Sequence, residues 1–106
     1  FSIMKQEPFG PLVPILTFKN FDEVVERANN NELGLASYIY TNDMEKANKA
    51  SELMESGTVA VNTPVVAVAE APFGGIKQTG YGREGGSMAI KDYLNIKYTH
   101  LGVHYD

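Results

Sequence analysis

Six glycines fall within the fifteen residues from Pro72 to Gly86, which read Pro-Phe-Gly-Gly-Ile-Lys-Gln-Thr-Gly-Tyr-Gly-Arg-Glu-Gly-Gly. Glycine loses the most backbone entropy on ordering and brings no side chain to a core, so such density needs a structural reason. Either the backbone turns through positive φ here, or something presses close against it. A surface loop without chemistry is the plain alternative.

Regular structure is expected mainly before this segment. Leu12 to Phe18 reads as a strand, interrupted by Pro14, which cannot donate to a ladder and so marks an edge or a bulge. Asn20 suits a helix N-cap, with Glu23 three residues on as in a capping box. Phe21, Val24, Val25 and Ala28 then recur at helical spacing, and Asn29 to Asn31 with Gly34 end the helix. Ala36 to Thr41 reads as a second strand, with Tyr38 and Tyr40 on one face and Ser37 and Ile39 on the other. Asn42 and Glu45 repeat the capping pattern for a helix that buries Met44, Ala47, Ala50, Ser51 and Met54 and stops at Gly57. Thr58 to Asn62 reads as a third strand. Strands alternating with helices predict βαβ units and a mainly parallel sheet. Residues 63–82 predict little regular structure, apart from a short extended piece at Val65 to Ala69. A helix from about Glu84 to Leu94, carrying Met88, Ile90 and Tyr93, and a last strand from Ile96 to Val103 complete the expectation.

The 106 residues suffice for one domain with an ordinary small core. Hydrophobic content of 43% with 21% charged residues is that of a soluble globular chain. A net charge of −4, with no run of basic residues, argues against nucleic acid or an anionic membrane as partner. No apolar stretch approaches the roughly 20 residues of a membrane helix. Phe1 to Lys5 lacks the pattern of a signal peptide, so the expected location is cytoplasmic. The absence of cysteine excludes disulfides and thiolate metal sites. His100 and His104 stand four apart, but on a strand or tail that spacing does not build a metal site, and no metal is expected.

Three stretches carry a resemblance when taken in order: Glu7-Pro8-Phe9-Gly10-Pro11, then Gly57-Thr58-Val59-Ala60-Val61-Asn62, then the glycine-rich segment itself. Gly34-Leu35-Ala36-Ser37 followed by Tyr38-Ile39-Tyr40-Thr41 fits between them. Together they resemble the C-terminal part of the aldehyde dehydrogenase superfamily, over essentially Gln6 to Gly102. The tail Asp92-Tyr93-Leu94-Asn95-Ile96-Lys97-Tyr98 looks most like the succinate-semialdehyde dehydrogenase branch.

The resemblance implies an α/β fold: part of a three-layer α/β/α catalytic domain with a mainly parallel sheet over residues 1–94, and an oligomerisation strand and tail over residues 95–106. It implies an NAD or NADP cofactor, a small-molecule aldehyde substrate and a homo-oligomer formed through the terminal strand. The family's cysteine nucleophile, general-base glutamate and dinucleotide-binding fold lie upstream of the matched region. Because the chain begins at Phe1, in what reads as the middle of a domain, it is expected to be a C-terminal fragment that is inert alone.

Carried over position by position, Glu7 falls where the family hydrogen-bonds the nicotinamide ribose, a task suited to a carboxylate that offers only acceptors. Phe9 falls beside the nicotinamide ring. Phe73 matches an aromatic lining the aldehyde pocket, Asn62 an asparagine near the active-site loop, and Glu84 an acid in a relay behind the general base. Ala67 stands where succinate-semialdehyde dehydrogenases carry a serine that helps hold the substrate carboxylate. Asn95 replaces an acid common at that place, which weakens any salt link to Arg83. The residues alone leave plainer readings open: a solvated Glu7, a core Phe9, a structural Asn62 tying down a loop, an ordinary Arg83–Glu84 surface pair, and a solvent-facing Lys77. A non-enzymatic α/β module that only binds a partner or dimerises is the rival to the enzyme.

Overall fold

The computed structural model describes residue 3 and residues 6–103; Met4 and His104 lie outside the described residues. Helix α1 spans Phe21–Asn29 and starts where the capping pattern puts it, with Asn20 Oδ1 accepting the Glu23 N–H at 2.9 Å. The reciprocal half of the capping box is displaced by one residue, since Glu23 Oε2 takes the N–H of Lys19 rather than that of Asn20. Phe21, Val24 and Val25 are half-buried on its inner face, and Ala28 is exposed.

A parallel βαβ unit follows. Strand β2 (Ala36–Ile39) leads to helix α2 (Met44–Leu53) and back to β3 (Thr58–Val61), with Ala36 opposite Thr58 and Ile39 opposite Val61. The N-cap of α2 is Asp43 and not Asn42: its Oδ1 accepts the N–H groups of Glu45 and Lys46, both at 3.1 Å. Both residue types cap well, and Thr41 selects the second by accepting the Asp43 N–H on its own hydroxyl. Met44 and Ser51 are exposed, so the buried face of α2 is narrower than the spacing predicted and rests on Ala47 and Ala50.

The helix ends at Leu53, before Gly57, which therefore is not its stop. Gly57 serves close approach instead, because a Cβ there would run into the carbonyl of Gly74. Two-residue strands β1 (Leu33–Gly34) and β4 (Ile76–Lys77) pair antiparallel. The Gly34 carbonyl also accepts the Gly57 N–H at 3.0 Å, so β1 and the start of the parallel pair share a junction. Asn29 ties the helices together: its amide donates to the Leu53 carbonyl and accepts from the Glu55 N–H, both at 2.8 Å.

Several expected elements are absent among the described residues. The sheets are two-stranded, one parallel and one antiparallel, and no three-layer arrangement is assembled within this chain. Residues 12–18 form no ladder, and neither do residues 65–69 or 96–103. The helix expected from Glu84 shrinks to a 3-10 turn at Ala89–Tyr93, since the paired glycines at 85 and 86 both adopt positive φ. No helix among the described residues is long and apolar enough to cross a membrane.

The core is smaller than the length allows. Ala47, Ala50 and Ala60 are its buried hydrophobic residues, and no large side chain is fully buried. Large apolar side chains instead face outward along both flanks, including Val13, Ile15, Tyr93, Ile96, Tyr98 and Leu101. Burying one such side chain stabilises a fold by about 1.5–3 kcal/mol, so this surface is suited to further polypeptide rather than water. The radius of gyration is 20.0 Å, where a compact domain of this length has about 13 Å.

Candidate active site

The glycine-rich segment is a shaped loop held by a few specific bonds. Phe73 and Glu84 face each other in an antiparallel bridge, exchanging both main-chain hydrogen bonds at 2.7 Å. Arg83 Nη1 reaches back to the carbonyls of Gly75 and Gly82, each at 2.8 Å. A side chain at Gly74 would meet the Gly82 carbonyl at 2.6 Å and Arg83 Cδ at 2.8 Å. Two strand-like segments therefore lie backbone against backbone, which only glycine permits at this separation. Both readings offered for the glycine density hold: positive φ at Gly80, Gly82, Gly85 and Gly86, and close approach at Gly74.

On one side of the bridge an open cleft of about 270 Å³ is walled by Ala67, Val68, Ala69, Ala71, Phe73 and Glu84, with Gly85 at its floor. On the other side a second cleft of about 310 Å³ is bordered by Phe73, Glu84, Arg83, Asp92 and Tyr93 among others. Phe73 and Glu84 border both. The first cleft is open to solvent and mostly apolar in its lining, with the exposed Glu84 as its one charged residue.

Of the six positions singled out in the sequence, the fold brings three to this cleft: Ala67, Phe73 and Glu84. Asn62 does not line it. Its side chain makes a two-way clasp on Thr41, accepting the Thr41 N–H and donating to the Thr41 carbonyl, both at 2.9 Å. At φ 55 it sits in the left-handed region that asparagine tolerates, so the structural reading of Asn62 is the one the geometry displays. Glu7 is exposed and Phe9 is 97% exposed, and among the described residues no hydrogen bond or ion pair joins Glu7 to the rest of the chain.

Lys77 is exposed, as expected, but its ammonium is engaged by neighbouring groups. Its Nζ caps the end of α1 by donating to the carbonyls of Asn29 at 2.8 Å and Asn31 at 3.1 Å, and it pairs with Glu55. Its own backbone, at the end of β4, lies at φ 57. No feature of the sequence marks that conformation for a lysine. Arg83 is bound through the carbonyls of Gly75 and Gly82 rather than through position 95. Asp92 was not singled out; its Oδ2 accepts the Arg83 N–H at 2.9 Å. Among the described residues no group of histidine and acidic side chains is placed to hold a metal.

The sequence model of the aldehyde dehydrogenase family matches residues 1–99. The chain belongs to that family. A 3-sulfolactaldehyde dehydrogenase of Pseudomonas putida is 52% identical over 101 residues, which make up 95% of this chain and 21% of that enzyme. A succinate-semialdehyde dehydrogenase (NADP+) of Escherichia coli is 45% identical over 102 residues, 96% of this chain and 21% of the relative. The Bacillus cereus aldehyde dehydrogenase solved as an NAD+ complex superposes with a TM-score of 0.87 at 43% identity, over 91% of this chain and 20% of that one. This chain thus spans about a fifth of the length of the aldehyde dehydrogenases it matches. Its relatives are oxidoreductases acting on aldehydes and its architecture is α/β, as the resemblance implied.

Proposed function

We propose that this chain is the C-terminal portion of an NAD(P)+-dependent aldehyde dehydrogenase that oxidises a semialdehyde, such as succinate semialdehyde, to its carboxylate. The observation that carries the reading is the bridged pair Phe73–Glu84 on an apolar cleft that also contains Ala67, in a chain of this family. In this proposal Phe73 is the wall against which the aldehyde carbon chain lies, keeping water from the reacting carbonyl. Glu84 holds a proton relay behind a general base supplied from elsewhere in the polypeptide. Asn62 keeps the end of β3 in register beside the site through its clasp on Thr41. A cysteine of the remaining polypeptide adds to the aldehyde and forms a thiohemiacetal, and water later releases the acid from the thioester. With no cysteine, the isolated chain is inert.

Glu7 and Phe9 fit a dinucleotide by the chemistry they offer. Glu7 is a free carboxylate with only acceptors to present, suited to vicinal ribose hydroxyls, and Phe9 is an uncovered aromatic face for a flat ring. When bound, the nicotinamide supplies a hydride acceptor. Ala67 offers no hydroxyl to a substrate carboxylate, so an anionic end group is held by cations outside this segment. Residues 1–94 complete a catalytic domain, and residues 95–106 act as an oligomerisation strand. The exposed apolar side chains of Ile96, Tyr98 and Leu101, with no ladder partner among the described residues, support pairing across a subunit interface.

The full-length enzyme, offered a panel of aldehydes including short semialdehydes, is expected to reduce NAD+ or NADP+, followed by dinucleotide absorbance. Absence of reduced dinucleotide with every aldehyde and both cofactors overturns the proposal.

A further inference from the structure

Asp92 stands on the 3-10 turn, away from the two segments that form the bridge, and it borders the second cleft but not the first. Its carboxylate accepts the Arg83 main-chain N–H at 2.9 Å. The next residue, Glu84, has its N–H and its carbonyl committed to Phe73, while the Arg83 guanidinium is committed to Gly75 and Gly82. Residues 82–84 are thus pinned from three directions, and among the described residues Asp92 is the one that pins them from outside the loop. A second observation bears on the same contact. A Cβ on Gly82, at φ +87, would come within 2.9 Å of Asp92 Oδ2, so glycine at that position leaves the carboxylate its place. A carboxylate bonded to a backbone N–H is among the stronger neutral-to-charged hydrogen bonds, and this one fixes the Gly82–Arg83 peptide, one link before Glu84.

We infer that Asp92 is a positioning residue: by holding the Arg83 amide it sets the Phe73–Glu84 bridge, and through it the fit of an aldehyde in the first cleft. It touches neither substrate nor cofactor. The inference rests on the reading of that cleft as the aldehyde site. It also makes a claim about the backbone that stands without turnover.

The test uses the full-length protein with Asp92→Ala and Asp92→Asn. Asp92 is exposed, so neither change opens a cavity. In Asp92→Ala, amide hydrogen exchange of residues 82–85 is expected to rise about tenfold while β2 and β3 stay as in the unaltered protein. The aldehyde KM rises about tenfold and the dinucleotide KM does not move. Asp92→Asn stays within about threefold on both readouts, because its amide oxygen still accepts the Arg83 N–H. Unchanged exchange and unchanged aldehyde KM in Asp92→Ala overturn the inference, as does an asparagine variant no better than the alanine one. If the unaltered enzyme oxidises no aldehyde, the proposed function falls, and the exchange rates alone then decide whether Asp92 holds the loop.

Discussion

Residues 20–62 and residues 63–103 are ordered by different physics. In the first region neighbours in sequence do most of the work: Asn20 and Asp43 cap the helices that follow them, and the βαβ unit closes on Ala47, Ala50 and Ala60. In the second, regular structure is confined to two residues of β4 and one 3-10 turn. What holds it is a handful of bonds between residues about ten apart, Phe73 with Glu84, Arg83 with Gly75, Asp92 with Arg83. The contrast teaches that a loop carrying the candidate site needs no less specification than a helix. That specification is spread over contacts that no local rule displays.

The junction between the regions is the place to break the comparison. Gly57→Val drives a side chain into the Gly74 backbone, which cannot yield as a flexible side chain would. It is expected to destabilise the full-length protein by about 3 kcal/mol or more, seen as a lowered Tm. Arg83→Ala strips two carbonyls of their charged donor and should cost about 2 kcal/mol, with faster proteolysis at residues 74–84 and unchanged amide protection in β2 and β3. Asp43→Ala should cost about 1 kcal/mol as a lost N-cap, whereas Asn42→Ala stays within about 0.5 kcal/mol. Denaturant midpoints of the two variants separate those expectations.

The smallest effect is on pH. Backbone and side-chain hydrogen bonds from Lys19 and Arg27 hold the Glu23 carboxyl below its ordinary value, and the Lys46 side chain does the same for Asp43. A carboxyl depressed in the folded state lends stability above its ordinary pKa, and that stability drains away as pH falls through the lower folded value. Both groups lie at the surface, so acidification should fray the first turns of α1 and α2 slightly, by amide exchange.

Much of the first region was legible in the sequence. Asn20 with Glu23, the alternation in Ala36 to Ile39, and the alanine spacing of α2 are rules over three or four residues, and the parallel pairing follows from a helix between two strands. Where two adjacent residues both suit a cap, as with Asn42 and Asp43, local chemistry alone does not choose. The expected strands at 12–18 and 96–103 fail for a different reason: an apolar, β-prone stretch needs a partner strand, and none pairs with it among the described residues. The resemblance singled out Ala67, Phe73 and Glu84 for separate roles, and all three border the first cleft; their roles there belong to the proposed function. Glu7 and Phe9 are exposed, and among the described residues no hydrogen bond or ion pair joins Glu7 to the rest of the chain. Lys77 and Asp92 stayed invisible because each works through a main-chain atom, which every residue possesses.

The most direct test of the account is a steady-state comparison of Phe73→Ala in the full-length enzyme, varying aldehyde and dinucleotide in turn. The account predicts a fall of about tenfold in kcat/KM for the aldehyde with the dinucleotide KM unaltered. A loss confined to the dinucleotide, or no loss for either, contradicts the claim that this loop walls the aldehyde site.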